Sequence, residues 1–538
     1  MVALDRQRGY KPLDFGADGV TGSVDDGGCL IALNSYHPRH GYVTLTSAPP
    51  FPESERYNPA AVRAYRASLR TLDGFGFHAG FSPTIHEATL LAGVIPHVRF
   101  FGGDGRSAQI TTFANGGGAF QIWDTHGAGA AWGGRLMLQR CAYTQLTEGG
   151  PVPMPPLTMR IRFNEGVLTV ENPSLPWAVG VAGFPTADSW ERESSEPVEL
   201  SIPIPEGQTT LAYGFSMTAE SAAHHARQLL NRDVDAVLQG QGRLWSGALS
   251  NVSDALVRRG LAYGVALSAP VEQGVCILTD HMLLPLSWNR DAYYVARVFL
   301  SWQSGEIEAK ALVRRHLLWM FEQTERHHGA WGRCYLANGR IKDHAFQLDQ
   351  QLFPLLELAE YVIETGDRET LARLESSVAP VVSGLMTRKA PYFALFPTDE
   401  TPADDPMVLP YHLSSHILFW RVLVMLEKAG IGGNWSTLAD EIRRAIDEHF
   451  IAEHDGTPIY AYAADGSGHY YFYHDANDLP LALAPAWGFC GADDLIWRAT
   501  VDFAFSPANE GGYYAGRLGS VHTRAPWSLG DIQDLIIA

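Results

Sequence analysis

The stretch QLDQQLFPLLELAEYVIETGD, running from Gln347 to Asp367, repeats its apolar residues at helical spacing and then stops at a glycine. Leu348, Leu352, Leu355, Leu356, Ala359, Val362 and Ile363 trace one face, which predicts a helix despite Pro354 early in the run. Thr365-Gly366-Asp367 predicts a tight turn into a second helix, and Gly430-Ile431-Gly432-Gly433 repeats the arrangement farther on. Working outward, Ser221 to Gln239 and Val252 to Leu267 also read as helices. About eleven helical candidates follow Glu220 in all, the last of them from Trp527 to Ala538. Helices paired by short turns in that number suggest an α/α toroid, with a funnel lined by the loops at one end.

Upstream of about Ala219 the period changes. The chain is rich in Gly and Pro and falls into short alternating runs: Leu157 to Phe163, Gly166 to Val170, Val198 to Ile204 and Thr210 to Phe215. Period-two patterning bounded by turn residues predicts antiparallel strands, with Val24-Asp-Asp-Gly-Gly28 as a hairpin turn. The fold class expected is multidomain β + α, an N-terminal antiparallel β-sandwich followed by a C-terminal (α/α)6 barrel. The expected boundaries are 1–219 for the sandwich, 220–250 for a helical linker and 251–538 for the barrel.

Composition narrows the partners. A net charge of −19 opposes phosphate backbones and anionic membranes, so neither nucleic acid nor a membrane is expected as a partner. Asp5, Arg6 and Arg8 interrupt the start where a secretory signal needs an apolar run, which together with the cysteines predicts a cytoplasmic protein. Cys29, Cys141, Cys276, Cys334 and Cys490 are odd in number, widely spaced and free of any C-x-x-C pair, as suits reduced thiols. No phosphate loop, H-E-x-x-H motif or strand-embedded G-x-S-x-G is present. The pairs His224-His225 and His327-His328 are adjacent, and neighbours on a helix point in different directions.

Two segments carry candidate chemistry. In PTDETPADDPMVLPYHLSSHIL (Pro397 to Leu418), Asp404 and Asp405 stand between prolines that keep the loop from becoming helix. Two adjacent carboxylates in a confined cleft cannot both ionise freely, so one can keep a proton and act as a general acid. The plainer alternative is a turn or cap before the helix beginning near Tyr411. In Leu286-Ser-Trp288-Asn-Arg290-Asp291-Ala-Tyr-Tyr294 an aromatic, a fork of donors and a carboxylate open a helix. That trio can stack on a sugar and grip its hydroxyls, or else form a capping and ion-pair cluster.

Trp288-Asn-Arg290-Asp291 resembles the W-x-R-D motif shared by glycoside hydrolase family 15, the glucoamylase group, and family 125, the exo-α-mannosidases. Gln347-Leu348-Asp349, Ala403-Asp404-Asp405 with Pro410, Asp475-Ala476-Asn477 and Gly519-Ser520-Val521-His522-Thr523 resemble family 125 in the same order. The N-terminal half resembles the β-sandwich of family 15. This resemblance implies an exo-acting, inverting α-glycosidase that takes a terminal glucose- or mannose-type sugar from an oligosaccharide or small glycoside and needs no cofactor. It implies that Asp404 or Asp405 is the general acid, and that Glu510, in Asn509-Glu510-Gly-Gly-Tyr-Tyr514, is the base. Trp288, Arg290, Asp291, Gln347, Asp349, Asp475 and His522 are then sugar ligands; Asp349 and Asp475 could equally be helix caps. A glycoside phosphorylase on the same barrel and a non-catalytic carbohydrate-binding protein are the alternatives, the first requiring a basic pocket and the second tolerating loss of the acids.

Overall fold

The computed structural model describes residues 2–3, 13–55, 58–69, 71–140, 158–282 and 285–538. Asp5, Arg6, Arg8, Cys141 and Leu157 lie outside them. Compactness divides the chain into two units: residues 1–323 with 334–342, and residues 324–333 with 343–538.

The first unit is built on two large antiparallel sheets. The ten-stranded sheet runs, in spatial order, Val2–Ala3, Ile85–Leu91, Ile95–Phe101, Ser107–Asn115, Gly118–His126, Gly207–Ser216, Trp177–Ala182, Val167–Asn172, Met159–Asn164 and Trp190–Ser194. The seven-stranded sheet is centred on Ala130–Arg140, Gly41–Thr46 and Leu30–His37. Val20–Val24 and Leu30–His37 pair across the expected turn at Val24 to Gly28. Leu33, Val43 and Leu45 from one sheet and Val98, Trp123, Val170, Val181 and Leu211 from the other are fully buried in a single apolar core. Removing that apolar surface from water is what holds two sheets together.

The helix expected from Ser221 to Gln239 is two helices, Ala219–Leu230 and Val234–Ala248. The break falls where Asn231 closes the first and the Asp233 carboxylate accepts from the Ala236 N–H to cap the second. Nor does the stretch from 220 act as a linker. Ala219–Leu230 lies flat on the ten-stranded sheet, burying Ala219, Ala222 and Ala226. The fit is close enough that a Cβ on Gly214 would stand 2.4 Å from the Ala226 nitrogen, and one on Gly180 would stand 2.5 Å from the Ala222 oxygen. Glycine facing alanine lets backbone meet backbone, so this helix belongs with the sheets. The unit is completed by Ala255–Leu267, Asn289–Ser301 and Ala309–Glu322, the first starting after Asp254 caps it rather than at Val252.

The second unit is helical, and with those above brings the helices from Ala219 onward to thirteen among the described residues. The stretch quoted first is the helix Leu348–Thr365, which continues through Pro354. It is buried on every side from Leu348 to Val362, Glu357 and Glu360 included, rather than on one stripe. Gly366, at φ 70°, closes it in the left-handed conformation, and Asp367 caps Arg368–Leu374. Leu413–Ala429 packs against it and ends at Gly430, φ 71°. Trp435–His449, Leu479–Trp487, Leu495–Ala504 and Ser528–Ile537 follow.

Candidate active site

The acid pair sits in a turn whose geometry follows from its sequence. Pro402 occupies the second position of a turn closed by the Asp404 N–H donating to the Thr401 carbonyl (3.0 Å). Asp404 leaves this turn at φ 65°, a left-handed conformation that aspartate tolerates better than most residues. The Thr401 N–H donates to the Asp405 carbonyl at 2.8 Å, and the Thr401 hydroxyl accepts from the Asp405 N–H at 3.3 Å. Neither acid caps the following helix: Leu413–Ala429 is capped by His412, whose Nδ1 accepts from the Ser415 N–H.

The pair's side chains turn to different partners. Gln347 Nε2 donates to Asp404 Oδ1 at 2.7 Å, to the Thr401 carbonyl at 3.0 Å and to Glu400 Oε2 at 3.2 Å. Arg333 Nη1 stands 2.9 Å from Glu400 Oε2 and 4.0 Å from Asp404 Oδ1, while its Nη2 pairs with Asp343. Burial pushes the Glu400 carboxyl above its ordinary value; Arg333 opposes this, and Asp404 and Asp343 add to it. Asp405 turns the other way. Its Oδ1 lies 3.3 Å from His522 Nδ1, and its buried Oδ2 has no hydrogen-bond partner among the described residues.

The segments around Asp475, Glu510 and His522 are laced together. Asp475 is buried, accepting from the Tyr473 hydroxyl (2.6 Å), the Asn477 N–H (2.8 Å) and Asn477 Nδ2 (2.7 Å). Burial raises its pKa, nearby Asp478 adds to the effect, and hydrogen bonds from Tyr473, Asn477 and Ser520 resist it. The cap of the next helix, Leu479–Trp487, is Asp478, so Asp475 is not the cap. The Val521 N–H donates to the Tyr473 hydroxyl, the Ala476 N–H to the Gly519 carbonyl and the His522 N–H to the Ser520 hydroxyl. Asn509 clamps His474 by accepting its N–H at 3.0 Å and donating to its carbonyl at 2.9 Å. Glu510, next to this anchor, is exposed.

Gln347 caps Leu348–Thr365 by backbone position, and Asp349 is buried in that helix's first turn. In the first unit, Trp288 ends the short strand Leu286–Trp288, and Asn289–Ser301 begins directly after it, as expected. Trp288 is buried with no acceptor for its Nε1 among the described residues, and Arg290 Nε stands 3.8 Å from Asp291 Oδ2.

Sequence reasoning passed over Arg333, Asp343, Glu400, Tyr473 and Asn509. Glu400 was in view, four residues before Asp404. Arg333 and Asp343 had no local signal, because they are brought together by a hairpin in which the Arg333 N–H donates to the Asp343 carbonyl.

Residues 379–533, less than a third of the chain, match the family described as metal-independent α-mannosidases (GH125). The match takes in Asp404, Asp405, Asp475, Glu510 and His522, and leaves out Trp288, Arg290, Asp291, Gln347 and Asp349. No curated protein matches the sequence. Among solved structures, a bacterial glucoamylase complexed with acarbose has a TM-score of 0.61 at 12% identity, over 94% of this chain and 81% of that one. That likeness is one of fold. A Streptococcus pneumoniae protein from a family of metal-independent α-mannosidases, in a non-productive complex with α-1,6-mannobiose, is 21% identical over 52% of this chain and 79% of its own, at a TM-score of 0.42.

Proposed function

We propose that this glycoside hydrolase is an exo-acting, inverting α-glycosidase that releases a terminal sugar of glucose or mannose type from an oligosaccharide or small glycoside. The observation that carries the reading is the acid pair, which lies inside the stretch that matches the α-mannosidase family: Asp404 is in a left-handed turn, tethered by Gln347, with Glu400 and Arg333 beside it. One member of the pair protonates the leaving oxygen. Glu510, on the loop anchored by Asn509, activates water on the opposite face. Asp349, Asp475 and His522, all in the second unit, hold the terminal sugar. Acid–base chemistry of this kind draws on two carboxylates and one water.

We further read the helices as closing the (α/α)6 barrel and the two sheets as a β-sandwich, which the fold likeness to glucoamylase supports. Among the described residues no helix is long and apolar enough to cross a membrane, and Cys29, Cys276, Cys334 and Cys490 are all free thiols. A cytoplasmic location accords with both.

The test is hydrolysis of a panel of α-linked disaccharides and aryl glycosides, followed by NMR of the first product. An inverting enzyme releases the β-anomer first; the α-anomer before mutarotation overturns inversion, and no hydrolysis of any substrate overturns the activity. For the true acid, Asp404→Asn or Asp405→Asn lowers disaccharide hydrolysis by about 10²–10⁴-fold and spares substrates with activated leaving groups. Near-normal disaccharide turnover by both variants removes the pair from the mechanism.

A further inference from the structure

His327 and His328 lie on a hairpin rather than a helix: Arg326–His327 pairs with Ala330–Trp331, and His328, at φ 50°, is in the turn. The turn brings the two adjacent rings to 4.2 Å between centroids and sets His327 4.5 Å from His344. All three imidazoles wall a cavity of about 610 Å³, together with Trp331, Phe346, Arg388 and Asp399. We infer that this cavity binds an anionic group, a phosphate, sulfate or carboxylate.

Four observations support it. The volume falls in the range of small-molecule sites and exceeds what an inorganic ion needs. The three imidazoles, all exposed, make no hydrogen bond to another described residue, which leaves their ring nitrogens to solvent or to a ligand. Arg388 lies over the Phe346 ring with its guanidinium carbon 3.7 Å from the centroid, which fixes the plane of its donors, and its buried Nε has no acceptor among the described residues. The one carboxylate on the wall, Asp399, pairs with Arg388 at 3.2 Å but is mostly exposed, and an exposed pair of that kind is easily exchanged for a better-placed anion. In a chain of net charge −19, this wall, with one guanidinium against one carboxylate and three imidazoles besides, carries no excess of negative charge.

The rings also hold one another back. Partial desolvation, then His328 and His344, depress the pKa of His327, so protonation is disfavoured until an anion arrives to offset it. They do not form a metal centre, since among the described residues no group of three or more His, Cys, Asp or Glu is placed to hold one ion. The pocket is built on the segments that carry the acid pair. Phe346 precedes Gln347, and its carbonyl accepts from the Asp399 N–H at 3.0 Å.

Calorimetry on the full chain, with glucose, glucose 6-phosphate, glucuronate and inorganic phosphate as probes, tests this. Binding of an anionic probe at least tenfold tighter than glucose is expected, weakened tenfold or more by both R388Q and H328Q with the melting temperature unchanged. If glucose 6-phosphate binds tenfold tighter than inorganic phosphate, the anion comes on a sugar; equal affinities assign the pocket to free phosphate. No anionic probe binding at millimolar concentration, glucose binding as tightly as the anions, or anion binding undiminished in both variants overturns the inference. Binding is read without turnover, so an inactive protein would overturn the hydrolase reading and leave this one intact.

Discussion

Gln347 does more at the site than its sequence position advertises. One amide nitrogen serves Asp404, Glu400 and the Thr401 carbonyl, so it neutralises nothing yet holds two carboxylates in place beside Arg333. Hydrogen bonds to charged groups contribute about 1.5–3 kcal/mol, so Gln347→Ala is expected to lower kcat/KM about 10–150-fold. Gln347→Glu is expected to do worse than Ala, because a third carboxylate would replace the donor between the other two. Steady-state kinetics on both folded variants checks the order; equal losses, or a milder loss for Glu, would mean the amide only fills space. The acids themselves stood out in the sequence because they are adjacent to each other and closely flanked by Pro402 and Pro406. Their support was not: Arg333 and Asp343 meet Glu400 only through the folded hairpin, and no spacing rule reaches across 67 residues from Arg333 to Glu400.

At the scale of elements, two helices show what periodicity conveys and what it leaves out. The apolar face of Leu348–Thr365 was readable, but its burial on all sides was not, because Gln350, Gln351, Glu357 and Glu360 are polar and are buried all the same. Burial holds the Glu357 carboxyl well above its ordinary value, with Glu360 reinforcing the shift. A raised carboxyl pKa favours the folded state below the ordinary value of 4.5, and the benefit is lost as pH rises through the raised one. Glu357→Gln is therefore expected to raise the melting temperature at pH 8 relative to pH 5 by a few degrees compared with the parent, measured as a thermal unfolding series. An unchanged pH slope would place the proton elsewhere. Ala219–Leu230 teaches the complementary lesson. Its helical period was plain, and its docking surface was hidden in isolated glycines on distant strands. Gly214→Ala forces a methyl against the Ala226 backbone and is expected to cost about 1–3 kcal/mol by chemical denaturation, with Gly180→Ala close behind.

Across the whole molecule the switch from period two to period 3.6 near residue 219 was legible, and the two large sheets lie before it, although a helix, Pro59–Leu69, also precedes it and short strands follow it. Compactness draws its line elsewhere, because the helices Ala219–Leu230 and Ala255–Leu267 pack on the strands before them. The chain is similar in fold to a bacterial glucoamylase at 12% identity, so one fold is reached here from largely different sequences. The units are also interleaved in the chain, with residues 334–342 of the first interrupting the second. In genetic terms the seam has no single breakpoint. A chimera joined to a relative at residue 323 would carry Cys334–Lys342 away from Leu286–Trp288, with which Cys334–Leu336 pairs, and give it a stranger's strand. A double crossover that keeps 334–342 with residues 1–323 is expected to yield more soluble, cooperatively melting protein than the single one. Shuffled libraries scored for expression would reveal this as linked inheritance of two segments that are not adjacent in the gene.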